Sequence, residues 1–299
     1  MSSQFSEWQF WIDRGGTFTD VIALAPDGQI HTLKLLSENP RHYLDAAAEG
    51  IRQLLKSTID TSLVQRLTIK MGTTVATNAL LERKGEPVLL VTTKGFADAL
   101  RIGYQHRPEL FSLNIKLPQM LYSDVLEVNE RVNAKGEVTQ EMNEDEVTAG
   151  LKQAYDKGLR SVAIVFMFGY LFVEHEIKVA KLARDMGFDQ VSTSHQCSPL
   201  MKLISRGDTT VVDAYLSPIL QRYVEQFEAQ LGKLSQLDCH LQFMQSSGGL
   251  TEAHRFAGKD AILSGPAGGV VGMVKTAGAA GFDRLIGFDM GGTSTDVCH

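Results

Sequence analysis

Cysteine is scarce in this 299-residue chain. There are three, Cys197, Cys239 and Cys298, and no two form a Cys-x-x-Cys pair. Neither a disulfide framework nor a paired-thiolate zinc site is legible. The histidines are scattered, with no His-x-x-x-His, which removes another common zinc signature. Long apolar runs are missing as well. The most apolar stretch, Val162 to Val173, covers 12 residues, which is too short to cross a bilayer and reads as a buried strand. Basic excess is absent. Lys and Arg number 29 against 35 Asp and Glu, for a net charge of −6, and no basic run exceeds the pair Arg83-Lys84. A nucleic-acid or anionic-membrane surface is therefore not expected. The first residues, MSSQFSEWQF, carry no basic segment and no long apolar one, so no signal peptide is expected. With the sparse thiols this points to a reducing cytoplasm.

What is present is ordinary globular material, 43% apolar and 21% charged, and the length suits about two domains. The start reads as a meander of three short strands: Trp11-Ile12, Val21 to Leu24 and Ile30 to Leu36. They are joined by turns at Gly15-Gly16 and Pro26-Asp27-Gly28. A helix is expected over 41–56. Strands at 67–71 and 88–91 then alternate with helices at 75–84 and 96–102, an α/β pattern. Residues 103–142 break the rhythm and read as an inserted β-rich excursion. Helix 144–157, strand 161–166, helix 174–186 and strand 190–193 restore it. Residues 200–208 read as a passage between domains. A long amphipathic helix is expected over 209–231, bent near Pro218, and a strand at 241–244. Ser264-Gly-Pro-Ala-Gly-Gly-Val-Val-Gly272 opens another helix, and a last strand at 285–288 enters a second Gly-rich turn.

The chemistry lies in a repeat. Asp13-Arg-Gly-Gly-Thr-Phe-Thr-Asp-Val21 recurs 276 residues later as Asp289-Met-Gly-Gly-Thr-Ser-Thr-Asp-Val297, identical at seven of nine positions. Each copy follows a short apolar strand. Glycine lets backbone N–H groups crowd around an anion, and threonine hydroxyls add donors. An aspartate at the end of the incoming strand repels a phosphate unless a cation lies between them. Mg²⁺ suits that place because it keeps most of its waters. Two such hairpins facing one another would grip a nucleoside triphosphate. Other nucleotide signatures are missing: there is no P-loop, and no Gly-x-Gly-x-x-Gly after the first strand. The glycines of 265–272 suit either close approach of a helix start to phosphate or tight helix packing. Thr73, Thr74, Thr77 and Asn78 suit either substrate contact or helix capping. Asp20 and Asp296 suit either polarisation of a nucleophile or capping within the turn.

These turns resemble the phosphate hairpins of the actin-like ATPase superfamily. With MGTTVATNALLERKG (Met71 to Gly85), DAYLSPILQRY (Asp213 to Tyr223), LSGPAGGVVG (Leu263 to Gly272) and GFDMGGTSTDV (Gly287 to Val297), the chain is similar throughout to the hydantoinase/oxoprolinase family. The resemblance implies an α/β, ribonuclease H-like domain pair. The expected boundaries are 8–200 for an N-terminal domain and 201–299 for the start of a second, incomplete domain, making the chain an N-terminal fragment inactive by itself. It implies ATP-driven hydrolysis of a small cyclic amide, 5-oxo-L-proline to L-glutamate first, with N-methylhydantoin hydrolysis, a ketone carboxylase subunit or a non-metabolic ATPase as alternatives. ATP and Mg²⁺ are the implied cofactors, and a homo-oligomer or complex the implied assembly. Carried over by position, Asp13 and Asp289 would hold the metal through water. Gly15, Gly16, Thr17 and Thr19, with Gly291, Gly292 and Thr293, would face phosphate. Asp13, Asp20 and Asp289 would serve catalysis. Arg101, Tyr104 and Arg107 stand as candidates for a substrate carboxylate.

Overall fold

Alternation of apolar and polar residues sets the first element. In a computed structural model describing residues 7–58, 66–107, 109–232, 238–291 and 295–299, strand β1 (Glu7–Arg14) buries Trp8, Phe10 and Ile12 on one face. Trp11 and Asp13 stand on the other, as the period of two requires. Strands β2 (Phe18–Leu24) and β3 (Ile30–Leu36) follow, each antiparallel to its predecessor, which is the expected meander. Helix α1 (Ala46–Thr58) begins later than the sequence pattern suggests. Asp45 sets its start by accepting the Ala48 N–H at 2.9 Å, a capping bond. Strand β4 (Arg66–Thr73) lies parallel to β1, and helix α2 (Val75–Leu81) follows.

The chain then builds a second unit, Arg83–Ile219. Its strands β5 (Val88–Thr93), β6 (Tyr122–Val128), β9 (Ser161–Val165) and β10 (Gln190–Thr193) form a sheet in the order β10-β9-β5-β6, parallel throughout. A short hairpin, β7 (Arg131–Val132) with β8 (Val138–Gln140), stands apart. Helices α3 (Ala99–Ile102), α4 (Glu144–Asp156) and α5 (Glu174–Met186) connect the strands, and α6 (Ser194–Cys197) follows the last of them. Val147 and Leu151 of α4 and Val179 and Ala183 of α5 meet Leu89, Val91, Val162 and Ile164 in one core. The expected excursion over 103–142 needs correction, because β6 is an integral edge strand of this sheet. Its residues are only half-buried, so it lacks the apolar run that marks β5 and β9.

Helix α7 (Leu203–Gly232) contains Pro218, and the division between the units falls within it, after Ile219. It is longer than expected and only its last turns are amphipathic. Residues 210–220 are buried around most of the circumference, which erases the polar stripe. The chain then returns to the first unit. Strand β11 (Asp238–Met244) pairs in parallel with β4, and β12 (Leu250–Glu252) closes the edge. Helix α8 (Ser264–Ala279) and the hairpin β13 (Gly287–Met290) with β14 (Thr295–Cys298) complete the described elements.

The six-stranded order β12-β11-β4-β1-β2-β3 has β11, β4 and β1 parallel at its centre and antiparallel strands on both sides, the arrangement expected of a ribonuclease H-like core. The spatial units do not run consecutively along the chain. Met1–Glu82 and Leu220–His299 form one unit because β11 inserts beside β4 across some 160 residues of chain. Among the described residues, no helix is long and apolar enough to cross a membrane.

Candidate functional site

The six-stranded sheet has two unlike faces. Trp8, Phe10, Val21, Ile69 and Phe243 form the dry one with α1 and the end of α7. The opposite face borders a cavity of about 520 Å³, whose lining includes Asp13, Asp20, Lys70 and Gly72 from the strands, Gly268 from α8, and Asp289 from β13.

The strands of the two copies of the repeat pair alike. In the first, Asp13 pairs with Asp20, Arg14 with Thr19 and Ile12 with Val21. In the second, Asp289 pairs with Asp296, Met290 with Thr295 and Phe288 with Val297. The registers coincide position for position. Both hairpins lie in the first unit, and β13 and β14 pair only with each other among the described residues.

The first turn is held from beneath. The Gly15 N–H donates to the Phe18 carbonyl at 3.1 Å, and the Ser37 N–H donates to the Thr17 carbonyl at 2.9 Å. The Ser37 hydroxyl donates to the Gly15 carbonyl at 2.7 Å. At the exposed tip, the Gly16 and Thr17 N–H groups meet no acceptor among the described residues. They are the backbone donors that can meet an anion. Gly291 is exposed at the start of the second turn, while Gly292 and Thr293 lie outside the described residues. Thr19 is a correction. It is fully buried, with its hydroxyl 3.0 Å from that of Ser37, so it braces the hairpin instead of facing phosphate. Its neighbour Asp20 faces the cavity, and a strand cannot present both residues to one side.

Arg14 does not enter the cavity either. Its Nε lies 3.5 Å from the Asp45 carboxylate, and its guanidinium rests 5.3 Å from the Tyr223 ring centre. Burial above all, with the nearby Asp45 carboxylate, holds the Tyr223 phenol well above its ordinary range. This cluster braces the back of the hairpin.

The cavity is electrostatically demanding. Asp13 is held above the ordinary carboxylate range. Withdrawal from water is the first cause, and the charges of Asp20 and Asp289 add to it while Lys34 opposes them. Asp20 is partly neutralised, since Lys34 Nζ lies 2.6 Å from each of its oxygens. That half-exposed pair contributes little stability, and it replaces the turn-capping role open to Asp20 in the sequence. Among the described residues, no three His, Cys, Asp or Glu side chains converge closely enough to chelate a metal directly.

Helix α8 aims its start at this space. Gly265, Gly268 and Gly269 line the cavity, and added Cβ atoms there would meet at closest Thr74 at 3.9 Å and Met244 at 3.6 Å, or nothing. Tight packing therefore does not explain these glycines. Leu263, just before the helix, has φ +56, a strained value for a branched residue. Its N–H donates to the Thr77 hydroxyl at 3.1 Å, and the Ser264 hydroxyl donates to the Thr73 carbonyl at 3.1 Å. The Thr74 and Asn78 side chains bond to each other at 3.4 Å. The threonine cluster thus ties α2 to α8.

Arg101, Tyr104 and Arg107 belong to the other unit and none lines this cavity. The Tyr104 hydroxyl is 2.9 Å from that of Ser205. Sequence reasoning missed Trp11, Ile22 and Lys70, which share the cavity wall with the aspartates. The available signal was their spacing, two residues from Asp13, Asp20 and Gly72.

This fold and these motifs agree with known proteins. Residues 9–187 match the hydantoinase/oxoprolinase N-terminal region and residues 206–299 match hydantoinase/oxoprolinase. The chain is 46% identical to 5-oxoprolinase 1 of Arabidopsis thaliana over 97% of its length and 25% of that protein's. It is 42% identical to 5-oxoprolinase of Dictyostelium discoideum, covering 97% of the chain and 26% of that protein. It thus spans about a quarter of the length of these relatives. The crystal structure of the ATP-dependent caprolactamase from Pseudomonas jessenii superposes with a TM-score of 0.81 at 29% identity, over 97% of this chain and 43% of that one. With both hairpins, the sheet order and two matched regions in agreement, the chain belongs to the hydantoinase/oxoprolinase family.

Proposed function

We propose that the full-length protein couples ATP hydrolysis to opening of a cyclic amide, with 5-oxo-L-proline converted to L-glutamate. The observation carrying this reading is the pair of hairpins built on one register, each giving an aspartate to one cavity. The relatives called 5-oxoprolinase support the choice of substrate.

A five-membered lactam is a poor electrophile with a poor leaving group. Bound ATP would supply a phosphoryl group to the amide oxygen, releasing ADP; the carbonyl carbon would then accept water, and phosphate would leave as the ring C–N bond is hydrolysed. Asp13 and Asp289 would hold Mg²⁺ through its water shell, and the ion would balance the phosphate charge. The Gly16 and Thr17 N–H groups would receive phosphate oxygens at the turn. The glycine-lined start of α8 would leave room for the reactants to approach one another. The same reading includes a homo-oligomer or complex, which light scattering of the full-length protein tests.

The test is phosphate release by the full-length protein with 5-oxo-L-proline, N-methylhydantoin, or a ketone with bicarbonate. Stimulation at least tenfold stronger with 5-oxo-L-proline supports the reading. Stimulation by one of the others alone moves the activity to that sibling reaction, and ATP hydrolysis indifferent to all three contradicts it. Removal of Mg²⁺ with a chelator should abolish turnover, and Mg²⁺ should restore it.

A further inference from the structure

Lys70 is the charged group of the cavity that the phosphate reading leaves without a task. On β4, Leu67, Ile69 and Met71 are buried in the core, so the alternation turns Lys70 and Gly72 the other way. In the parallel register Lys70 stands opposite Trp11, as Gly72 stands opposite Asp13. Its Nζ lies 5.4 Å from the Trp11 ring centre, and among the described residues it has no ion-pair partner. The other cation near the cavity, Lys34, is engaged by Asp20. Ile22 stands opposite Trp11 on β2, while on the β11 side Lys70 faces Gln242, whose amide donates to Glu252 at 3.0 Å.

The cavity thus has two ends of different chemistry. At one end lie the carboxylates, with the exposed turn donors beyond them. Two residues back along the strands, about 7 Å away, lies an ammonium beside the Trp11 ring, with Ile22 on the next strand. An unpaired ammonium beside apolar surface favours an anion. The triphosphate is not that anion, because the turn lies beyond Asp13 in the opposite direction along the strand. A small ring carrying a carboxylate matches both features.

We propose that Lys70 binds the carboxylate of the cyclic amide, with the ring against Trp11 and Ile22 and the amide directed towards Asp13. This rests on the cyclic-amide reading and deepens it, by making the carboxylate the feature that admits a substrate.

The test compares 5-oxo-L-proline with 2-pyrrolidinone, the same lactam without its carboxylate, in the full-length protein and in Lys70→Gln and Lys70→Arg. Wild type should favour 5-oxo-L-proline by at least 100-fold in kcat/KM. Lys70→Gln should raise its KM at least 30-fold, leave the KM for ATP within twofold, and shrink the preference to below tenfold. Lys70→Arg should recover most of it. Equal use of both lactams by wild type overturns the proposal without any variant. An unchanged KM for 5-oxo-L-proline in Lys70→Gln, or a rise confined to ATP, overturns it while the cyclic-amide reading stands. Calorimetry with L-proline and other carboxylated rings separates the converse case. If wild type neither turns over nor binds 5-oxo-L-proline, yet binds another such ring in a Lys70-dependent way, the substrate reading fails and the role of Lys70 holds.

Discussion

Asp13 is where function and stability pull apart. Its folded pKa is raised, by withdrawal from water and then by Asp20 and Asp289. A carboxyl shifted upward favours the folded state fully only below its unfolded pKa, and that contribution is lost as pH rises through the folded value. Near neutrality the ionised Asp13 therefore costs stability. Asp13 keeps contact with solvent, which screens this cost, so Asp13→Asn should melt only slightly higher at pH 7, by about 1 °C or less, and the gain should vanish towards pH 3–4, as calorimetric scans across that range would show. The same change should lower ATP turnover by about 10²-fold or more. A lower melting temperature at pH 7 would mean that the carboxylate is a structural ligand of the turn. The aspartates and the Asp-x-Gly-Gly-Thr spacing were legible from residue types alone. Thr19 was not read correctly, although a strand that turns Asp20 to the cavity must turn Thr19 away from it.

At the scale of elements, glycine carries two opposite lessons. In α8, Gly269 and Gly272 have open space where a Cβ would stand, but only Gly269 lines the cavity. Alanine at either place should stabilise the helix by up to about 1 kcal/mol. Gly269→Ala should also raise a substrate KM several-fold, and Gly272→Ala should leave kinetics unchanged; melting curves and steady-state rates on the pair would check this. Gly85 is the reverse. A Cβ there would fall 2.0 Å from the buried Tyr215 ring, so Gly85→Ala should cost about 1–3 kcal/mol or more through overpacking, read as a fall in urea midpoint. The meander, α4, α5 and β9 were legible because each carries its own period or apolar run. Strand β6 and the middle of α7 were not, since a half-exposed edge and an all-round burial both blur that period.

At the scale of the whole molecule, the sequence could not place β11 beside β4. Parallel pairing across an intervening unit leaves no local mark, and the boundary read at 200/201 followed the chain while the spatial division followed the sheet. The two-stranded sheet β13–β14 exposes Phe288, Met290 and Val297. The 299-residue chain by itself should accordingly bind Mg-ATP only weakly, with Kd about 1 mM, and show no 5-oxo-L-proline-dependent turnover; calorimetry giving micromolar binding would contradict this. The central claim is that both hairpins serve one phosphate site. A double-mutant cycle on ATP turnover in the full-length protein, with Asp13→Asn, Asp289→Asn and both together, tests it most directly. Groups acting as one unit are strongly non-additive. The account predicts that each single change lowers the rate by about 10²-fold or more and that the double variant is little slower than either. A double variant slowed by the product of two independent losses, or an Asp289→Asn protein with near-normal turnover, would contradict it.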